Sequence, residues 1–188
     1  MTPPPPTPSQ SVVLTLPITH AHFIWYCAWF SLPSAIYAYS NPASAHFAIV
    51  PASVFATSLL YWRNPVRNSW RRRIDIAVVL SGVIYQTYYA FLYVNHSYTT
   101  QIYTALIGVS TACFGLSNYL MTRGSMWSAT YAHAAIHIIA NVANLVLYDG
   151  YNNYNNNYNN NNCGTPAYSQ MVKDCCAIVS AGVKSYEW

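Results

Sequence analysis

The chain has 188 residues, of which 54% are hydrophobic, 16% aromatic and only 6% charged. A soluble globular domain carries about 25% charged residues, so this composition cannot cover a water-facing surface and calls for lipid around the outside. The net charge of +4 comes largely from arginines gathered in one short loop, which argues for a topology signal and against a nucleic-acid partner.

Residues 1–19 form a leader that begins MTPPPPTPSQ. Its proline run favours extended, solvated chain, and without a basic start it does not resemble a cleaved secretory signal. A helix crossing the hydrocarbon needs roughly 17 to 25 mainly apolar residues. Five stretches meet that need, giving an all-α, multi-pass transmembrane bundle over 20–148. The first is 21–39, where Pro33 predicts a kink. The second is 45–62, the shortest. The third is 74–94, the fourth 101–121 and the fifth 127–148. Trp and Tyr gather near many of their ends, as they do at membrane interfaces.

No Lys, Arg, Asp or Glu occurs before Arg63. From there to Tyr148 the charged residues are Arg63, Arg67, Arg71, Arg72, Arg73, Arg123 and one acid, Asp75. Cytoplasmic loops are enriched in Lys and Arg. All six arginines fall on one side if the N-terminus is cytoplasmic and the tail is lumenal or extracellular. The sequon Asn95-His96-Ser97 then lies on the far side, where glycosylation occurs. The tail, 149–188, opens with an Asn/Tyr tract of low complexity that reads as a disordered spacer with some capacity for self-association. Cys163, Cys175 and Cys176 follow; they suit disulfides in a lumenal tail or, for the adjacent pair, palmitoylation in a cytoplasmic one.

Chemistry points to the fifth span. His133, His137, Asn141 and Asn144 recur at helical spacing and form one polar stripe. Asp75 and Gln86 occupy a similar face of the third span. Thr104, Gly108, Thr111, Gly115 and Asn118 give the fourth a small, polar face, of the kind that lets helices approach closely. All three stripes are expected to turn inward. At about 1.5 Å rise per residue, Ser58, Asp75, Asn118 and His133 share the cytoplasmic third, with His137, Gln86 and Thr111 deeper. Ionisable groups within a span usually have a partner, and for Asp75 the candidates are His133 and the arginines immediately before it. Three uses of the stripe stay open: interhelical hydrogen bonding, a proton or ion path, or a metal site. In the last, His133, His137 and Asp75 would supply three ligands to zinc and leave a position for water.

Two segments carry a family resemblance. ATSLLYWRNPVRNSWRRRIDIAVV contains Ser58 and Asp75, and YAHAAIH contains His133 and His137. Together they resemble the membrane hydrolase superfamily of alkaline ceramidases and progestin/adipoQ receptors. Members have a Ser and a His at the cytoplasmic end of one span, an Asp at the start of the next, and an HxxxH pair in a late span. The resemblance implies a zinc-dependent lipid amidase or receptor, with Ser58 and Asp75 in catalytic roles and His133 and His137 on the metal. Two departures stand beside it: Trp62 occupies the position of the family's first His, and five spans replace seven. His46 lies at the opposite face, whereas His20 and His22 begin the first span on the matching side. The residues alone support a membrane scaffold or a binding protein for a small molecule or lipid. The partners they imply are membrane lipids, further copies of the chain or other membrane proteins.

Overall fold

The computed structural model describes residues 14–94 and 98–163, with side chains to 158. Six α-helices account for most of them: α1 (Ile18–Cys27), α2 (Ser31–Ser40), α3 (Ile49–Trp62), α4 (Trp70–Tyr93), α5 (Tyr98–Thr122) and α6 (Met126–Cys163). Short 3-10 turns, Ala28–Phe30 and Ala45–Ala48, lead into α2 and α3. Both have the same cause. Pro33 and Pro51 sit in the first turns of α2 and α3. A proline ring clashes with the carbonyl four residues earlier and offers that carbonyl no N–H. Those carbonyls belong to Trp29 and Phe47, inside the two 3-10 turns, where the backbone tightens to i+3 bonding. The kink expected at Pro33 is therefore expressed one turn earlier, as a break between α1 and α2.

Four stretches are long and apolar enough to cross a membrane: Ala45–Trp62, Trp70–Tyr93, Tyr98–Thr122 and Met126–Tyr158. The broken α1–α2 run supplies one more pass. Two hydrophobic clusters mark the ends of the bundle. One gathers Leu16, Ala21, Ile24, Tyr61 and Trp62, with Met121 and Met126 against it. The other gathers Ala38, Phe47, Ala90, Val94, Tyr103, Ala143, Leu147 and Tyr148. Chain order alternates between the two, so each helical run joins one end to the other. The first is here called the arginine end, because the loop after α3 and the start of α4 lie there; the second is the far end. Between them the outer faces are apolar: Ile84 is 70% exposed and Ile49 69%, which fits lipid and not water.

The leader is fastened to the arginine end. Thr15 N–H donates to the Pro65 carbonyl at 2.7 Å, Leu14 and Val66 form an isolated bridge, and the Tyr61 hydroxyl donates to Thr15 Oγ1 at 2.8 Å. Ser69, extended at φ −71° and ψ 154°, caps α4 by accepting from Arg72 N–H. This cap starts the helix at Trp70, so Arg71, Arg72 and Arg73 stand on its first turn and not in a loop. Between α5 and α6, Gly124 adopts φ +77°. Ser125 N–H reaches the Leu120 carbonyl and Gly124 N–H the Met121 carbonyl, the paired bonds of a Schellman motif, which needs a left-handed residue.

α6 is 38 residues long, about 57 Å at about 1.5 Å per residue, against a hydrocarbon core of about 30 Å. It continues through the whole Asn/Tyr tract to Cys163, where composition alone suggests irregular chain. Asn95 to Ser97, Cys175 and Cys176 lie outside the described residues, as does most of the leader; the Cys163 side chain is likewise outside them. Cys27 and Cys113 are free thiols.

Candidate functional site

α3 carries Ser58 and Trp62 four residues apart, hence on one face; both are buried, at 1% and 3% exposure. α4 brings Asp75 alongside. Ser58 Oγ donates to Asp75 Oδ1 at 2.8 Å, and Thr57 Oγ1 donates to the same oxygen at 3.0 Å. The carboxylate is thus held by two hydroxyls of the neighbouring helix, and neither histidine nor arginine is needed to explain its place. The sequence offers His133 or the preceding arginines as partners of Asp75; Ser58 and Thr57 take that place instead, and His133 packs on Trp62.

One turn nearer the arginine end, the Trp62 indole meets His133 with ring centroids 4.8 Å apart, and His133 meets His137 at 5.8 Å. Trp62, His133 and His137 form a column of rings between α3 and α6. Two of its polar atoms, Trp62 Nε1 and His137 Nε2, are buried with no hydrogen-bond partner among the described residues. An indole nitrogen can only donate, so Trp62 calls for an acceptor. A third such atom, His20 Nε2, belongs to a ring packed 4.2 Å from Trp127 on the same end of the bundle.

The polar stripe of α6 divides in two. His133 and His137 make the ring column, whereas Asn141 is a helix clamp. Its Nδ2 donates to Ser31 Oγ at 3.1 Å and to the His137 carbonyl at 2.6 Å, while its Oδ1 accepts from Ser34 Oγ. Ser31 and Ser34 flank Pro33 on α2 and are buried at 1% and 0% exposure. They are the partners that sequence reasoning did not find; two serines three apart in an apolar span were the available signal. Asn144 is buried in the next turn.

Other expected members of the site lie elsewhere. Gln86 is buried on α4, but its Nε2 donates to the Tyr148 hydroxyl at 2.6 Å, within the far-end cluster. Asn118 and Thr111 hydrogen-bond carbonyls of their own helix, those of Phe114 and Ile107. The small face of α5 does not turn inward. Thr104, Gly108, Thr111 and Gly115 are exposed, and a Cβ added at Gly108 or Gly115 would meet nothing within 4 Å. Tyr103, Ser110 and Ser117 form the buried face instead. The bulk of Tyr103, wholly buried beside Tyr148, fixes that rotation more strongly than small residues can.

The zinc set implied by the resemblance does not fit these residues. Among the described residues no three His, Cys, Asp or Glu side chains are grouped to hold a metal. Asp75 Oδ1 already accepts two hydroxyl bonds, and Trp62, which is a donor only, stands against His133. His20 is turned to Trp127, so it does not supply the missing imidazole. A groove of about 490 Å³ opens between α3 and α4 along Val50, Ser53, Val78 and Ser81, and the one titratable group in its lining is Tyr85.

Compared with family models, with curated proteins and with solved structures, the chain matches none of them. Fold and composition together define the class: this is an integral multi-pass membrane protein, with a polar cluster buried near its arginine end.

Proposed function

We propose that the chain is a membrane-embedded binding protein for a small amphiphile, whose polar group is received by Trp62 and His137 beside His133. One observation carries this reading: Trp62 Nε1 and His137 Nε2 are buried in one ring column without a partner among the described residues. Leaving a buried polar atom unsatisfied costs about 1–3 kcal/mol, and a ligand with a carbonyl, phosphoryl or hydroxyl oxygen removes that cost at the indole. His137, as a neutral imidazole, accepts or donates according to its tautomer, which suits a hydroxyl or an amide. The ligand reaches the column from the bilayer, with its chain along the apolar helix faces. The arginine end faces the cytoplasm in this proposal, on the strength of the arginine distribution.

Transport along the stripe has less support, because Gln86 and Asn141 are each closed by a protein partner. The resemblance to the ceramidase-like hydrolases supports a second reading. The Ser58–Asp75 bond and the contact of Trp62 with His133 bring together the positions that carry it. With Trp62 at a ligand position, such a relative would bind lipid without hydrolysing it.

The test is solvent extraction of the protein purified in mild detergent, followed by mass spectrometry of the extract. Binding predicts one class of amphiphile retained by the wild type and lost in His137→Leu. An extract with the same composition as that of an unrelated membrane protein would contradict it.

A further inference from the structure

A second recess lies on the outer surface of the arginine end, of about 250 Å³, lined by His22, Trp25, Tyr26 and Arg63. Its two halves differ in chemistry. Arg63 is the first residue beyond α3 and is exposed; His22, on α1, is exposed beside it. These are cationic or N–H-donating groups at the depth where arginine side chains reach the headgroups. Below them runs an aromatic wall. Trp25 meets Trp29 at 5.9 Å between centroids, and Trp29 crosses to Phe55 of α3 at 5.1 Å. Phe55 lies about 12 Å deeper than Arg63 along α3, at about 1.5 Å per residue. The wall therefore descends from the interface into the hydrocarbon.

Charge around the recess is one-sided. Five arginines lie between positions 63 and 73, and Asp75, the acid nearest them in the chain, is bonded to Ser58 and Thr57. An anion is the missing complement. Arginine suits the oxygens of a phosphate, and Trp and Tyr are the residues that sit at headgroup level. A free phosphate would use only the upper half of this surface, whereas a phospholipid uses both.

We infer that the His22–Trp25–Tyr26–Arg63 recess holds an anionic phospholipid, its phosphate at Arg63 and His22 and an acyl chain along Trp25 and Trp29. The site is separate from the Trp62–His137 column and does not depend on it. A lipid seated there bridges α1 and α3 on the outside, next to the leader contact between Thr15 and Pro65.

The test uses the full chain in mild detergent, titrated with phosphatidylglycerol or phosphatidylcholine and read by native mass spectrometry. Arg63→Gln is expected to lower phosphatidylglycerol retention about fivefold, the scale of one basic residue at an anionic surface, and to leave phosphatidylcholine retention unchanged. Arg67→Gln removes the same charge outside the recess and is expected to leave both unchanged. Phosphatidylglycerol with brominated acyl chains should quench tryptophan fluorescence, and Trp25→Phe, checked for folding by gel filtration, should lose part of that quenching. Inorganic phosphate should not displace the lipid. Equal losses from Arg63→Gln and Arg67→Gln would mean a diffuse field and overturn the site, as would displacement by inorganic phosphate or quenching that is the same in Trp25→Phe.

Discussion

Trp62 stands edge-on to His133, with ring centroids 4.8 Å apart and planes inclined by 64°. The contact joins the last turn of α3 to α6 and sets an indole against the first imidazole of the α6 stripe. Trp62 is both a packing residue, 3% exposed, and the owner of an orphan N–H. Phenylalanine separates the two roles. Trp62→Phe, which keeps an aromatic ring but empties the space of the indole's second ring, is predicted to cost less than about 3 kcal/mol. Trp62→Ala, which opens a cavity, is predicted to cost about 3 kcal/mol or more. Unfolding in mixed micelles of increasing denaturing-detergent fraction measures both.

Asn141 predicts a coupling. Its amide joins α6 to α2 through Ser31 and Ser34, and hydrogen bonds between membrane helices average about 0.6 kcal/mol with a maximum near about 1.7. Asn141→Ala should cost about 1–3 kcal/mol, because it also strands the buried Ser31 hydroxyl, whereas Ser34 Oγ keeps the Ser31 carbonyl at 3.0 Å. In Ser31→Ala/Ser34→Ala protein the same change should cost clearly less. A double-mutant cycle on unfolding free energies checks this, and additive losses would contradict the clamp.

Asp75 predicts a contrast between charge and hydrogen bonding. Its Oδ1 accepts from Ser58 and Thr57, and an asparagine oxygen can accept the same two bonds. Asp75→Asn should keep the fold and ligand retention near wild type. Asp75→Val, which leaves the buried Ser58 hydroxyl without its acceptor while Thr57 Oγ1 keeps the Val54 carbonyl, should destabilise by about 1–3 kcal/mol. If Asp75→Asn abolished ligand retention while leaving the melting curve intact, the carboxylate charge would have a direct role that this geometry does not assign to it.

The glycines predict opposite signs. A Cβ at Gly82 would stand 2.6 Å from Val50 Cγ1, whereas one at Gly108 would meet nothing within 4 Å. Gly82→Ala should destabilise by about 1–3 kcal/mol through overpacking of α3 on α4, and Val50→Ala in the same chain should recover part of that. Gly108→Ala should be neutral or gain up to about 1 kcal/mol of helix propensity. The same unfolding assay reads both.

Much of the bundle was legible in the sequence because lipid imposes a simple rule: a long apolar run bounded by aromatic and basic residues crosses. Arg63 to Arg73 marked one end of the molecule correctly for the same reason. Rotation about each helix axis was harder. The small polar face of α5 is the one its sequence suggests as inward, yet Tyr103, Ser110 and Ser117 face in, because lipid tolerates glycine and also threonine whose hydroxyl bonds the helix's own carbonyl, as Thr104 and Thr111 do. Ser58 and Asp75 could be placed at one depth because Asp75 is the one acid between Arg63 and Tyr148 and Ser58 stands near the end of the preceding span, close to the arginines. Ser31 and Ser34 were hidden by abundance: serine is common in such spans, and only the position of Pro33 and the turn of α2 aim them at Asn141. The helical state of the Asn/Tyr tract is hidden by composition, since α6 carries its helix on from an apolar, well-packed segment as far as Cys163.

The claim that the ring column is a binding site is tested most directly by native mass spectrometry of Trp62→Phe/His137→Leu beside the wild type, after a matched check of folding by gel filtration and melting. The wild type should retain an amphiphile adduct that the double variant, equally folded, does not. If the double variant is as folded as the wild type and carries the same adduct, the orphan atoms of Trp62 and His137 are not what holds the ligand, and the column is packing alone.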